Sequence, residues 1–293
     1  MSGDCIVGSF EGAHGVKICT YRWNVKGDPK GVIFLHHGLH VHTSFDVLEL
    51  GDQYRNRYSG SLVEDFNRIG LVVCGHDVRG HGRSAGKRAV VTFAEAFEDA
   101  ETFIDSVVNE DAILSRLPVF LFGVSMGGMM CAELGVRRPG KYKGIVLISA
   151  ALEANKGIHP PGAEFLKMIA EPLVFLFPTL PLVTIPPNKA AGLREQFLAD
   201  PLTWHGKCVA KTSYEFIKAF DSLNIEQLEP PLLMMYGGKD HAVGLEQPRE
   251  VFNLIQSEDK ELVILDEVWH DPLHEPGFEA VRKQILGWLS DRL

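Results

Sequence analysis

Short apolar runs recur along the chain, with helical patterns between them. Gly31–His36 is rich in β-branched and aromatic residues. Leu71–Cys74, Val119–Phe122, Gly144–Ile148, Leu232–Met235 and Leu262–Leu265 have the same character, and Val16–Trp23 reads as a strand near the start. Unbroken apolar runs of this length suit strands buried on both faces of a parallel sheet. Apolar residues at helical spacing predict helices over Ser59–Ile69, Phe93–Leu114, Gly128–Arg138, Glu246–Gln256 and Phe278–Leu289. Alternating β and α predicts a doubly wound α/β sheet. Such a sheet binds its ligands beyond the carboxyl ends of the strands.

One stretch breaks this rhythm. Between Ala151 and Pro231 no clean strand is visible, and ten of the sixteen prolines fall there, so long regular elements are interrupted. Helix-like pieces, Glu164–Leu176 and Tyr214–Leu223, alternate with the breaks. A stretch this long exceeds an ordinary crossover. The expectation is a sheet core from residues 1–150 and 232–293, with 151–231 as an inserted helical cap over the strand ends.

Composition narrows the function classes. At 45% hydrophobic and 23% charged residues the chain is an ordinary globular one. A net charge of −9 argues against a nucleic-acid partner, since phosphate binding needs clustered Lys and Arg. The cysteines (Cys5, Cys19, Cys74, Cys131, Cys208) are odd in number, scattered and free of a CxxC pair, as expected of a reducing compartment without a disulfide framework. No leader pattern and no membrane-length apolar run is visible, so the default expectation is cytosolic.

The chemistry concentrates at the strand ends. Val119–Gly128 reads strand, sharp turn, helix, and contains Gly123-Val-Ser125-Met-Gly127, a G-x-S-x-G elbow. The glycines allow close backbone approach while the turn lifts the Ser125 hydroxyl above the sheet. A serine needs a base to take its proton. In this architecture an acid and then a histidine should follow, each just after a strand. Asp240 follows Leu232–Tyr236 and His270 follows Leu262–Leu265. His274, His241, Asp259, Asp266 and Glu275 are the nearby rivals, Glu275 reading better as a supporting residue. The oxyanion of acyl transfer needs backbone donors, and the Met126 and Leu39 N–H groups are the candidates. Four histidines at 36, 37, 40 and 42, and the i, i+4 pair His270/His274, invite a metal reading. The absence of HExxH and the sufficiency of the elbow favour hydrogen-bonded framework for His36 and His37 instead. No cofactor motif is present, and the mechanism requires none.

With these residues in hand, the chain resembles the monoacylglycerol lipases and related lysophospholipases of the serine α/β-hydrolase superfamily. The resemblance runs from about Gly31 onward. Its carriers are His37-Gly38, the block His76-Asp77-Val-Arg79-Gly80-His81-Gly82-Arg-Ser84, the elbow, Asp200-Pro201-Leu202, Gly237-Gly-Lys-Asp240 and His270-Asp-Pro-Leu-His-Glu275. It implies an eight-stranded, mostly parallel sheet with helices on both faces and a helical cap. It implies ester hydrolysis through Ser125, Asp240 and His270, and the last block selects His270 over His274. Two positions depart from the family. Val124 stands where the lipases carry His, and a segment of roughly fifteen residues, through Asn56, is inserted after Leu39.

The implied substrate is a lipid ester with one acyl chain, a monoacylglycerol or a lysophospholipid. A carboxylesterase or acyl-protein thioesterase acting on small or protein-bound esters is the alternative. The charge-free stretch Pro172–Pro187 suits an acyl tunnel wall, a peripheral membrane contact or plain packing of the cap.

Overall fold

The computed structural model describes residues 5–51, 56–110, 112–154, 171–172, 174–185, 192–242 and 246–293. Its strands are β1 (Cys5–Glu11), β2 (Lys17–Trp23), β3 (Gly31–His36), β4 (Leu71–His76), β5 (Val119–Val124), β6 (Gly144–Ile148), β7 (Pro181–Val183), β8 (Cys208–Val209), β9 (Leu232–Gly237) and β10 (Lys260–Leu265). Eight of them form one sheet in the order β1-β2-β4-β3-β5-β6-β9-β10. β2 runs antiparallel to both its neighbours, and every other pair is parallel. The fold is that of the α/β-hydrolases.

The helices are α1 (Thr43–Val47), α2 (Leu62–Arg68), α3 (Phe93–Glu110), α4 (Met126–Arg137), α5 (Leu193–Ala199), α6 (Ala210–Ser222), α7 (Glu246–Leu254) and α8 (Phe278–Ser290). Alternate strand residues feed two cores. Val32, Phe34 and Leu121 pack with residues of α3 and α4 on one face. Ile33, Leu35 and Phe122 pack with residues of α2 and α8 on the other. Burial on both faces is why these strands read as unbroken apolar runs.

Some expectations shift. The pattern missed β1, an edge strand whose Ile6 and Val7 are exposed and which pairs only with β2. The stretch expected to lack strands contains the small antiparallel ribbon β7–β8, too short to leave a periodic signal. The helix expected from Ser59 begins at Leu62, because Ser61 caps it by accepting the Glu64 N–H at 3.2 Å. The helix expected to reach Leu114 ends at Glu110, and a separate 3₁₀ turn spans Leu114–Arg116. The piece expected from Tyr214 starts earlier, at Ala210. Of the piece expected over Glu164–Leu176, residues 171–172 and 174–176 are described and helical, and the rest lies outside the described residues.

The described residues between 171 and 231 attach to the carboxyl-end loops of the sheet. The Trp204 N–H donates to the His40 carbonyl at 2.8 Å, and Arg88 Nη2 donates to the Leu202 carbonyl at 2.6 Å. Thr212 accepts from the Val91 N–H at 3.0 Å and donates to the Ala89 carbonyl at 2.7 Å. Among the described residues no helix is long and apolar enough to cross a membrane.

Candidate active site

Ser125 sits between β5 and α4 with φ 51° and ψ −111°, a conformation that a non-glycine residue adopts only when its surroundings impose it. Those surroundings are close-packed backbone. A Cβ on Gly127 would fall well within 3.0 Å of the His36 carbonyl, and one on Gly123 equally close to the Gly127 carbonyl. The Ser125 N–H donates to the Ile148 carbonyl at 2.9 Å, which ties the turn to β6. The two glycines of the elbow are thus demanded by close approach.

His270, on the loop after β10, brings Nε2 to 3.1 Å from Ser125 Oγ. Its Nδ1 lies 2.7 Å from Asp240 Oδ2, on the loop after β9. An ionised carboxylate only accepts, so Nδ1 carries the proton and Nε2 is left free to receive the serine hydroxyl. Asp240 is buried, and its second oxygen accepts the Ala242 N–H at 2.7 Å. Burial pushes the His270 pKa down, but the Asp240 hydrogen bond and charge, aided by Asp271 and Asp46, raise it on balance above the ordinary histidine value.

The rivals fall elsewhere. Glu275 accepts the Trp269 and Asp271 N–H groups at 2.6 and 2.9 Å, bracing the loop on both sides of His270. His274 pairs with Asp271 at 2.9 Å. Asp259 pairs with Arg292, and His241 packs against Trp269. The backbone of Asp266 packs against Gly238.

Met126 is the first residue of α4, where an N–H has no intrahelical acceptor. Leu39 lines the cavity in front of His270, and no described residue accepts from its N–H. His40 takes φ 70°, a backbone conformation more usual for glycine. His37 is held as framework: the Val78 N–H donates to its Nε2 at 2.8 Å, and its Nδ1–H donates to the Gly38 carbonyl at 2.8 Å. Burial lowers its pKa to about 4. His36 departs from expectation. Neither of its ring nitrogens finds a hydrogen-bond partner among the described residues, and the ring packs edge-on to His76 at 5.3 Å. Burial lowers its pKa to about 3. Among the described residues no group of three or more ligand-type side chains is arranged to hold a metal ion.

The block from His76 to Ser84 supports the site from behind. Asp77 accepts from Tyr21 Oη at 2.8 Å, from the Arg83 N–H at 2.8 Å and from the Thr43 N–H at 3.0 Å. The segment that follows Leu39 forms α1 on that support. It brings in a carboxylate that sequence reasoning missed, Asp46, whose Oδ2 accepts the Gly38 N–H at 2.7 Å. It also brings in His42, whose Nε2 meets Asp200 Oδ2 at 3.0 Å across 158 residues of chain. The position of this segment, directly after the loop that carries Leu39, is the signal the sequence offers for either.

A cavity of about 400 Å³ opens against His270, the residue that meets Ser125 Oγ. Leu39, Phe45, Ile185, Leu193, Phe197 and Trp204 supply much of its wall. Its single described carboxylate, Asp271, is engaged by His274.

Comparison with known proteins agrees with this geometry. Residues 27–277 match the family described as serine aminopeptidase, S33. The chain belongs to that family of α/β-hydrolases, and it is a serine hydrolase acting on carboxylic esters. It is 30% identical to a monoacylglycerol lipase of Mycolicibacterium smegmatis, covering 97% of both chains. It is 29% identical to the monoglyceride lipase of Homo sapiens, over 94% of this chain and 86% of that one. The crystal structure of the Paleococcus ferrophilus monoacylglycerol lipase superposes with a TM-score of 0.71 at 26% identity, covering 94% of this chain and 99% of that one.

Proposed function

We propose that this chain hydrolyses the carboxylic ester of a lipid with one acyl chain, a monoacylglycerol first, through an acyl-enzyme on Ser125. The observation that carries the reading is the joining of two features: a Ser125–His270–Asp240 hydrogen-bonded line, and an apolar cavity that ends on it. Ser125 Oγ attacks the ester carbonyl as its proton passes to His270 Nε2. The oxygen becomes anionic and is met by the Leu39 and Met126 N–H groups. His270 then gives its proton to the departing glycerol oxygen. Water attacks the acyl-enzyme with His270 again as base, and the fatty acid leaves. Asp240 holds the imidazole tautomer and stabilises its cationic form.

Each methylene withdrawn from a lipid phase must regain about 0.8 kcal/mol of apolar burial. A cavity walled by Phe45, Phe197 and Trp204 meets that need. Small esters would leave most of it unfilled, which disfavours the short-ester alternative. The same lining disfavours aminopeptidase action, which needs a free carboxylate for the substrate amine.

Residues 151–231 act as the cap in this reading. Of the described part of the charge-free stretch, Val174 is buried, whereas Phe175, Leu176 and Phe177 are 84%, 66% and 57% exposed. Leu180, Leu182, Val183 and Ile185 are exposed beside them. An apolar surface of this kind suits peripheral contact with a lipid phase from which the substrate is drawn. The test is fatty-acid release from a monoacylglycerol and a lysophosphatidylcholine of equal chain length, with Ser125→Ala as blank. Faster release from the glyceride is expected. Preference for the lysophospholipid would transfer the head-group assignment, and release from neither would overturn the lipid reading.

A further inference from the structure

Asp46 is a buried carboxylate that the mechanism above leaves without a task. It lies in α1, on the segment that follows Leu39, and its Oδ2 accepts the Gly38 N–H at 2.7 Å. On the far side of the same glycine, the His37 Nδ1–H donates to the Gly38 carbonyl at 2.8 Å. The His37 tautomer is fixed by its other nitrogen, which accepts the Val78 N–H. Both peptide groups flanking Gly38 are therefore held, at a residue whose own dihedrals no side chain restrains. A trans peptide sets its N–H antiparallel to its C=O. Drawing the Gly38 carbonyl toward His37 thus turns the Leu39 N–H the opposite way. The glycine lies against the nucleophile: a Cβ built on Gly38 would be 3.7 Å from Ser125 Cβ and 3.6 Å from Asp46 Oδ2.

α1 is itself firmly seated. The Thr43 N–H donates to Asp77 Oδ1 at 3.0 Å, Thr43 Oγ1 donates to the His76 carbonyl at 2.8 Å, and Asn56 Nδ2 donates to the Ser44 carbonyl at 3.1 Å. The carboxyl is carried on a turn bolted to the end of β4.

We propose that Asp46 is a positioning residue which, opposite His37, locks Gly38 and aims the Leu39 N–H at the oxyanion of the tetrahedral intermediate. The proposal rests on the acyl-transfer reading of Ser125. Asp46 acts here as a hydrogen-bond acceptor rather than as a fixed charge. Burial, with Asp271 nearby, pushes its pKa up to about 7, against the Gly38 hydrogen bond and the pull of His274 and His42. Either protonation state keeps a lone pair for the Gly38 N–H.

The test compares Asp46→Asn and Asp46→Ala in the full chain. Wild type is first labelled at Ser125 with a fluorophosphonate, and absence of that label would overturn the acyl-transfer reading and this proposal together. With labelling in place, Asp46→Asn keeps an oxygen acceptor and is expected to hold kcat within about threefold. Asp46→Ala frees the loop, and kcat should fall about 10- to 100-fold with KM within about twofold. Affinity for a trifluoromethyl ketone, whose serine adduct places an oxyanion in the same position, should fall by the same factor. If the alanine variant does not fold, Asp46→Ser, whose hydroxyl is too short to reach Gly38, should show the same split. Unchanged kcat in the alanine or serine variant would overturn the positioning role. So would a loss in Asp46→Asn as large as in Asp46→Ala, or a rise in KM that accounts for the whole loss.

Discussion

The floor of the site and the segment above it are built on opposite principles. The floor is backbone packed on backbone: Gly127 against His36, Ser125 tied to β6, and Asp77 holding three partners at once. The described part of segment 151–231 packs on the core through Ala219, Leu223, Ile225 and Leu228 and hydrogen-bonds to its loops, while its Phe175–Ile185 part turns apolar side chains outward. Acyl transfer tolerates little misplacement of its reacting atoms, so rigidity belongs to the floor. Withdrawing a lipid needs an apolar surface where the substrate enters, and the reading proposed above gives that task to the exposed apolar residues of segment 151–231.

Breaking the floor should produce the largest effect. Asp240→Asn leaves the shape intact but disturbs the His270 tautomer, and kcat should fall about 10³- to 10⁴-fold. Steady-state ester hydrolysis with circular dichroism as a folding control checks this, and a loss below tenfold would remove Asp240 from the mechanism.

Acid should unfold the floor before it affects the exposed apolar face. Burial lowers the pKa of His36 to about 3, and of His37 and His40 to about 4. Below the unfolded value near 6.5 the unfolded chain binds protons that the folded chain refuses, so stability falls as pH drops toward 4. Each such histidine contributes a slope of about 1.4 kcal/mol per pH unit. Asp46, with its raised pKa of about 7, works in the opposite direction between pH 4 and 7, as do Asp99 above its ordinary value and His270 and His274 above 6.5. Against them stand five histidines, His76 and His81 included, that burial holds below the ordinary value. Chemical denaturation at pH 7 and pH 5 is expected to show a marked loss of stability at the lower value. Equal midpoints would refute the buried-neutral account.

A subtler measurement is the pH dependence of kcat/KM. His270 must be neutral to accept the serine proton, and its pKa is raised on balance by Asp240. Activity should therefore rise with pH through a midpoint above 6.5, the unperturbed value. A midpoint below it would mean that burial outweighs the carboxylate.

The smallest effect on the folded state is expected from the exposed face. Phe175→Ser with Phe177→Ser should change stability by less than about 0.5 kcal/mol, because both side chains are exposed. Release from a micellar or bilayer substrate should fall while hydrolysis of a dissolved short ester is retained. Parallel loss on both substrates would place these side chains in the fold rather than at a lipid surface.

What could be read in advance followed from locality. The elbow glycines, the strand–helix alternation and the strand-end positions of Asp240 and His270 each lie within a few residues of the feature that reveals them. β1 escaped because only Cys5 and Phe10 pack against the cores while Ile6 and Val7 are exposed, so no alternation marks it. His36 was expected to be hydrogen-bonded, yet its neighbour proved to be a ring, His76, that lies 40 positions away in the chain.

The sequence by itself determined the class of fold, the family and the nucleophile turn, because burial on both sheet faces and close backbone approach leave periodic and compositional traces. Only the tertiary structure decided how Asp46 meets Gly38, how His42 meets Asp200 and which apolar residues of the Pro172–Pro187 stretch face outward. Those contacts join separate loops whose side chains carry no periodicity, and their geometry exists only once the sheet has brought the strand ends together.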